Sequence, residues 1–334
     1  MRLSLKPIEE QVMVITGASS GIGLATAEAA ARAGARVLLV AREENDLRPI
    51  VARITAEGGT ADAYAADVGD ADALRAAAAH AAQRFGRIDT WINCAGVAIY
   101  GTLRDTPDDE HTQLFRTNYF GTVHGCLAAI PHLQGGGALI TVGSIAGDMP
   151  SPLMGAYAAS KHAVHAYVDT LRMEVADAGL PISVTLVKPS GIDTPIAQHA
   201  ANHAGGEAQV PPPVYDPALV AKTILACAVR PRRAITVGGV GRAETLFAAH
   251  FPGLFGKIAP KAAAAGFVDP DKPQPQPSNL FGSVRTGHVR SGEHHARAVS
   301  LYTAAARRPA ITAVGLGIAA SVGALIAVRR RASP

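Results

Sequence analysis

Short apolar runs alternate with longer, alanine-rich or amphipathic stretches through the first 240 residues. Residues 12–16 form an apolar run that ends in a glycine-rich turn, and 23–33 read as an alanine-rich helix. A second apolar run follows at 37–41. Helical stretches at 46–57 and 70–85 then alternate with β-type segments at 61–66, 90–94, 138–142 and 182–187. Strands separated by helices of ten or more residues predict βαβ units and a parallel sheet covered on both faces. Crossovers of this kind are right-handed, so the sheet is expected to be doubly wound. No repeat of solenoid period interrupts the pattern.

The pattern changes after residue 240. Phe247, Phe251 and Phe255 recur at i, i+4, i+8 within 243–265, where Pro252 and Pro260 are expected to break the chain into short helical pieces. The stripe could close a binding site as a greasy lid, rest on lipid, or pack its rings against the sheet. The sequence DPDKPQPQPS at 269–278 reads as an extended connector, and 279–306 are polar and weakly patterned. Residues 310–328 carry no charge and are bracketed by Arg307-Arg308 and Arg329-Arg330-Arg331. As a helix they would be about 28 Å long, close to the hydrocarbon thickness of a bilayer. A ridge of Gly315, Ala319 and Gly323 suits helix pairing in lipid. Burial in a protein core or dimer interface is the other reading. The chain thus divides into a catalytic domain over 1–240, an apolar helical extension over 241–268, a polar linker over 269–308 and a transmembrane helix over 309–329.

Composition refines this picture. Hydrophobic residues make up 48% of the 334 and charged residues 17%, which supports a large buried core and excludes a disordered chain. From residue 285 onward, eight arginines face one acid, Glu293, a balance of +7 that leaves residues 1–284 at −3 within the total of +4. A nucleic-acid surface on the folded domain is not expected. Cys94, Cys126 and Cys227 show no C-x-x-C spacing, so neither a disulfide framework nor a zinc site follows, and reduced thiols are expected. The opening MRLSLKPIEEQVMVITG has acids at Glu9 and Glu10 and no apolar stretch of signal-peptide length. A cytoplasmic catalytic domain is therefore expected. The arginines flanking the last segment give no vote on its orientation.

Three motifs carry candidate chemistry. Thr16-Gly17-Ala18-Ser19-Ser20-Gly21-Ile22-Gly23 lies between a strand and a helix, the context in which a glycine turn brings N–H groups to a pyrophosphate. At the end of the second strand, where an acid would accept a ribose 2′-hydroxyl, the chain has Ala41 and Arg42. A guanidinium there favours a 2′-phosphate, hence NADP(H) over NAD(H). Tyr157 and Lys161, four apart, share one helix face. A nearby ammonium would lower the pKa of a phenol that ordinarily titrates near 10.

With Asp67-Val68, Asn93-Cys94-Ala95-Gly96, Asn118, Gly143-Ser144 and Pro189-Ser190-Gly191-Ile192-Asp193-Thr194 in the same order, the chain resembles the classical short-chain dehydrogenase/reductase family over about residues 8–240. The resemblance implies a Rossmann-type α/β fold with helices on both faces, extended here by C-terminal helices. It implies Tyr157 as general acid/base, Ser144 holding the substrate oxygen, Lys161 lowering the pKa of Tyr157 and binding the nicotinamide ribose, and Asn118 holding a water of a proton relay. Gly17, Ser19, Ser20, Gly21, Ile22 and Gly23 would form the phosphate turn. Asp67 and Val68 would sit at the adenine, Asn93, Ala95 and Gly96 along the cofactor, and Pro189, Ile192 and Thr194 beside the nicotinamide. No metal is implied. Ser190 replaces the glycine usual after the proline, which puts the shape of that turn in doubt.

The expected activity is NADP-dependent interconversion of a carbonyl and an alcohol. An anchored enzyme would suit a lipophilic substrate, and the family implies a homo-oligomer, dimer or tetramer. The substrate pocket would be closed largely by the loop 197–213, expected to be mobile until ligand binds. Two rival functions remain at this stage: a non-catalytic NADP-binding sensor or scaffold, and a non-redox reaction such as epimerisation on the same fold.

Overall fold

The computed structural model describes residues 3–274, 277–284 and 287–307. In chain order the first half contains β1 (Val12–Thr16), α1 (Gly21–Arg32), β2 (Arg36–Ala41), α2 (Glu44–Ala56), β3 (Thr60–Ala65), α3 (Ala71–Phe85), β4 (Thr90–Asn93), β5 (Ile99–Tyr100), α4 (Asp108–Phe115) and α5 (Gly121–Leu133). It continues through β6 (Gly137–Val142), α6 (Gly155–Asp177), β7 (Ile182–Pro189), β8 (Ala201–Asn202), β9 (Glu207–Ala208), α7 (Pro217–Val229) and β10 (Ala234–Val237). The last elements are α8 (Gly239–His250), α9 (Pro252–Gly266), β11 (Val268–Asp269) and α10 (Leu301–Arg307).

Seven of these strands form one parallel sheet in the order β3-β2-β1-β4-β6-β7-β10, the doubly wound arrangement expected. The period-2 alternation of a strand divides its apolar side chains between two layers. In β1, Met13 and Ile15 pack with Leu24 of α1, Leu47 of α2 and Ile224 of α7. Val12 and Val14 pack on the other side with Leu74 of α3, Leu133 of α5 and Val168 of α6. Both layers are dry, which is why β1 and β6 read as unbroken apolar runs. β3 differs: it is an edge strand, and no residue of it is buried. Local signals mark the helix ends. Asp70 accepts N–H bonds from Asp72 and Ala73 ahead of α3, and Gly86 closes that helix at φ +85°.

Three expectations are corrected. Pro252 does start a new helix, but Pro260 lies inside α9 without ending it. The carbonyl it deprives of a partner belongs to Gly256, which is exposed to water. The loop 197–213 is tied down on both sides: β8 pairs with β5, and β9 pairs with β11. The stretch 269–307 is not a detached linker where it is described. Leu280 is fully buried against Ile99 and Leu114, Thr303 accepts from the Gly238 N–H, and the main chain at Arg297 bonds to Val214 and Asp216. Backbone hydrogen bonds and isolated buried residues hold this stretch, and neither leaves a hydrophobic period to read.

The aromatic stripe does not pack against the sheet. Phe247 contacts Phe251 and Phe255 at 5.7 and 6.2 Å between ring centroids, while Phe251, Leu254 and Ile258 are 59%, 50% and 48% exposed. Among the described residues no helix is long and apolar enough to cross a membrane, and the segment 309–329 lies outside them.

Packing of the C-terminal stretch is tested at Leu280. Leu280→Ala should lower the unfolding free energy by about 2–5 kcal/mol, read from urea denaturation. A detached connector would instead leave it within about 0.5 kcal/mol, as at a surface position.

Candidate active site

The sheet order reverses between β1 and β4, and the turns that leave these two strands face each other. Gly17 follows β1 at φ +66°, where a Cβ would lie 2.6 Å from the Ala95 Cα. A Cβ on Gly23 would fall 2.1 Å from the Gly17 carbonyl oxygen. Only glycine allows this close approach of turn, helix and neighbouring strand. Thr16, last in β1, locks the two turns together, its Oγ1 accepting the N–H groups of Cys94 and Ala95 at 3.0 and 3.2 Å.

A cavity of about 340 Å³ runs along these strand ends. All of the residues expected to touch a cofactor line it except Asn93. The glycine cradle at the start of α1 fits a pyrophosphate, and the cavity's reach from Arg42 and Asp67 to Tyr157 and Thr194 fits the remainder of a dinucleotide. Asp67 also pairs with Arg116 at 3.0 Å and accepts the Gly69 N–H.

Asn93 and Asn118 have other surroundings than expected. Asn93 points into the helical layer, where Oδ1 accepts from the Trp91 indole at 2.7 Å and Nδ2 faces Cys126 and Thr141. It abuts α5 at Gly125, where a Cβ would lie 2.0 Å from its Oδ1. Asn118 lies in a π-helical turn, Arg116–Phe120, between α4 and α5. Its side chain is taken up by the chain itself: Oδ1 accepts from Val97 N, while Nδ2 donates to Val97 O and Ser160 Oγ, all within 3.0 Å. Ser160 in turn donates to the carbonyl of Tyr157 at 2.7 Å. Asn118 therefore fixes the β4 turn to the helix that carries Tyr157.

Tyr157 and Lys161 leave the first turns of α6 into the cavity, both buried. The Lys161 ammonium lies 5.7 Å from the centroid of the Tyr157 ring and donates to the Val142 carbonyl at 3.2 Å. Burial disfavours the charged form of each group. It pushes the phenol of Tyr157 up to about 12, against a hydrogen bond with Ser144 that pulls it down. It lowers Lys161 to about 8.

Ser144 owes its position to a group that motif reading missed. The loop after β6 wraps around the buried ring of His165 on α6, so closely that a Cβ on Gly143 or Gly147 would lie 2.4 Å from that ring. His165 Nε2 accepts the Ser144 N–H at 3.5 Å and Nδ1 meets Asp148 at 3.0 Å. Asp148 also pairs with Lys188. Burial lowers the pKa of His165, which suits a neutral ring donating to Asp148 and accepting from Ser144. For Asp148, burial acts upward, but hydrogen bonds from His165 and Lys188 outweigh it and hold the carboxyl at about 2. No sequence spacing announces this trio.

Ser190, the departure noted after β7, donates its hydroxyl to the Val237 carbonyl at 2.9 Å. It fits because Gly238 and Gly241 lie against it, where a Cβ would approach to 1.9 and 2.5 Å. Around Tyr157 the wall is apolar: Tyr100, Met154, Ile196, Val210 and Phe267 cluster there. The thiols are unreactive in character, with burial pushing Cys126 and Cys227 up to about 12.

The short chain dehydrogenase family profile matches residues 11–205. The uncharacterized oxidoreductase YxnA of Bacillus subtilis is 36% identical over 319 residues, which is 93% of this chain and 89% of that protein. Dehydrogenase/reductase SDR family member 7B of Danio rerio is 33% identical, covering 74% of this chain and 83% of its own. Among solved structures, a short chain dehydrogenase/reductase from Burkholderia phymatum in complex with NAD superposes with a TM-score of 0.67 at 27% identity, over 75% of this chain and 96% of that one. An alcohol dehydrogenase from Thermococcus sibiricus, complexed with 5-hydroxy-NADP, shares the fold with a TM-score of 0.60 at 24% identity, over 68% and 95%. Sheet order and the crevice at its reversal define a Rossmann-type fold, and the family profile and relatives make it an oxidoreductase. The chain belongs to the short-chain dehydrogenase/reductase family.

The Asp148 network makes a pH-dependent contribution to stability. Its folded pKa is depressed from 3.8 to about 2, so the contribution is complete above the unfolded value and is lost as pH falls through the folded one. Because Asp148 also raises the pKa of His165, the difference in unfolding free energy between wild type and Asp148→Asn should be constant only above about pH 7, where His165 is neutral, and should collapse as pH falls toward 2. Denaturant titrations at stepped pH check this.

Proposed function

We propose that this chain transfers hydride between NADP(H) and a lipophilic carbonyl or alcohol, with Tyr157 as the general acid/base. The observation that supports it is the convergence of Ser144, Tyr157 and Lys161 on an apolar pocket at one end of a cavity whose other end carries the glycine turn and Arg42. A nicotinamide cofactor bound there supplies or takes the hydride.

The chain's own residues manage the proton and the oxygen. Tyr157, with its pKa raised by burial, holds its proton at neutral pH and can donate it to a carbonyl oxygen as that oxygen gains charge. Ser144, held by the His165–Asp148 pair, offers its hydroxyl to the same oxygen without reorganising. Lys161 places a cationic group beside the phenol, so that the phenolate left behind is stabilised. The apolar side chains around Tyr157 exclude water and favour a greasy substrate.

Arg42 supports the preference for a 2′-phosphate, as it lines the cavity beside Asp67 at the far end from Tyr157. Asp46 lines the same cavity and would oppose that preference. The exposed Phe251, Leu254 and Ile258 suit contact with lipid, in keeping with a membrane anchor at 309–329 and a catalytic domain on the cytoplasmic side. A homo-oligomer belongs to the same reading.

NADPH oxidation should be measured against a panel of lipophilic ketones and aldehydes, with NADH in parallel. Tyr157→Phe should lower kcat by roughly 10²–10⁴-fold while NADPH still binds. Equal turnover with NADH would remove the role given to Arg42, and full activity in the variant would remove that of Tyr157.

A further inference from the structure

The C-terminal stretch returns to the cavity, where Asn279, Ser283 and Val284 line it. It is pinned on one side at Asn279 and Leu280. The Asn279 N–H donates to the His199 carbonyl at 2.8 Å, Leu280 is fully buried, and Gln113 donates to the Leu280 carbonyl at 3.2 Å. On the other side Arg290 pairs with Asp216 at 2.8 Å, and Ser291 donates through its N–H and hydroxyl to the buried Asp193. Between these anchors Ser283 and Val284 line the cavity, and the His288 carbonyl accepts the N–H of Gly21, in the glycine turn itself.

Two features of Asn279 point to a ligand. Its main-chain carbonyl accepts from Nη2 of Arg42 at 2.8 Å and so aims the guanidinium. Its side-chain Oδ1 is buried and has no hydrogen-bond partner among the described residues, while the residue lines the cavity beside Arg42. A buried acceptor left unpaired costs about 1–3 kcal/mol. The residue lines the cavity, and a rotation of its side chain would bring this closed-off oxygen to a donor there and remove that cost. An adenosine moiety lying between Arg42 and Val68 offers such donors in its amino group and ribose hydroxyls.

We propose that residues 279–284 and 287–291 form the outer wall of the adenosine end of the dinucleotide groove, with Asn279 as a specificity-determining residue. Its carbonyl orients Arg42 toward the 2′ position, and its side-chain oxygen accepts a hydrogen bond from the adenosine half. This rests on the reading of the cavity as a dinucleotide site. It adds that the chain beyond the core sheet helps to select the nucleotide, where the motifs place recognition wholly within the first 194 residues.

The test is nucleotide binding by calorimetry, without turnover. Asn279→Ala should weaken NADPH and 2′-phospho-ADP-ribose alike by about tenfold, the loss of one net hydrogen bond, while the nucleotide-free protein, relieved of the unpaired acceptor, unfolds at or above the wild-type midpoint. Asn279→Asp sets a carboxylate beside Arg42. It should lower the ratio of NADPH to NADH affinity by about tenfold, as expected of a like charge near the 2′-phosphate. In wild type, NADPH should slow amide exchange over 277–284. Wild-type affinities in both variants would overturn the proposal, as would a loss of affinity accompanied by a lower nucleotide-free midpoint. If the wild-type protein binds no dinucleotide, the reading of the cavity fails. If it binds both tightly and the variants do too, only the role of Asn279 fails.

Discussion

All seven strands of the main sheet run in one direction, so every strand-to-helix turn falls at the same edge. The crossovers from β1 run outward to β2 and β3, and those from β4 run the other way to β6, β7 and β10. The two turns at the reversal therefore have no helix between them and open a crevice. Thr16 spans that crevice, holding the β4 turn by two N–H bonds. Parallel pairing also demands cover on both faces, so β1 splits its side chains between two dry layers. The position of the site is thus a consequence of how the sheet is closed and covered.

Burial then sets the chemistry of the groups that reach this edge. Tyr157 and Lys161 are driven in opposite directions, the phenol up and the ammonium down, each toward its neutral form. Under the proposed function a protonated phenol suits donation to a carbonyl, and the phenolate left behind would be met by two fixed neighbours, Lys161 and Ser144. Those neighbours are held by a second set of contacts. Asn118 ties Val97 to Ser160, and Ser160 ties to Tyr157; His165 and Asp148 hold the loop of Ser144. Gly143 and Gly147 are required because that loop runs against the imidazole. Positioning of this kind lets partial charges meet developing charge without moving.

The alternation of strands and helices was legible because burial on both faces leaves unbroken apolar runs. The limits of six strands of the main sheet came out within two residues of the observed ones, whereas the seventh, the short edge strand β10, was not read. The glycine turn was legible because only glycine tolerates its contacts, and the groove residues followed from motif order. What escaped was held by other means. Asn93 belongs to the quoted motif, yet its side chain serves the packing of β4 on α5. His165 and Asp148 are seventeen residues apart on different elements, with no period to connect them. The stretch 269–307 looks like a connector because proline and polar residues dominate it. Its contacts are main-chain bonds and single side chains such as Leu280 and Thr303, and composition carries no trace of either.

That last stretch changes what counts as the working unit. Gln274 bonds to Asn202 and Ala208 and to the carbonyls of Ala197, Gln198 and Ala200, while Asn279 bonds to His199. The segment 197–213 that packs over Tyr157 and the C-terminal chain at the far end of the cavity are therefore one hydrogen-bonded assembly. A displacement of one segment must break or drag the bonds of the other, because Gln274 alone spans several partners. The apolar pocket and the charged end of the groove are separated along the sheet edge, yet their covers are joined.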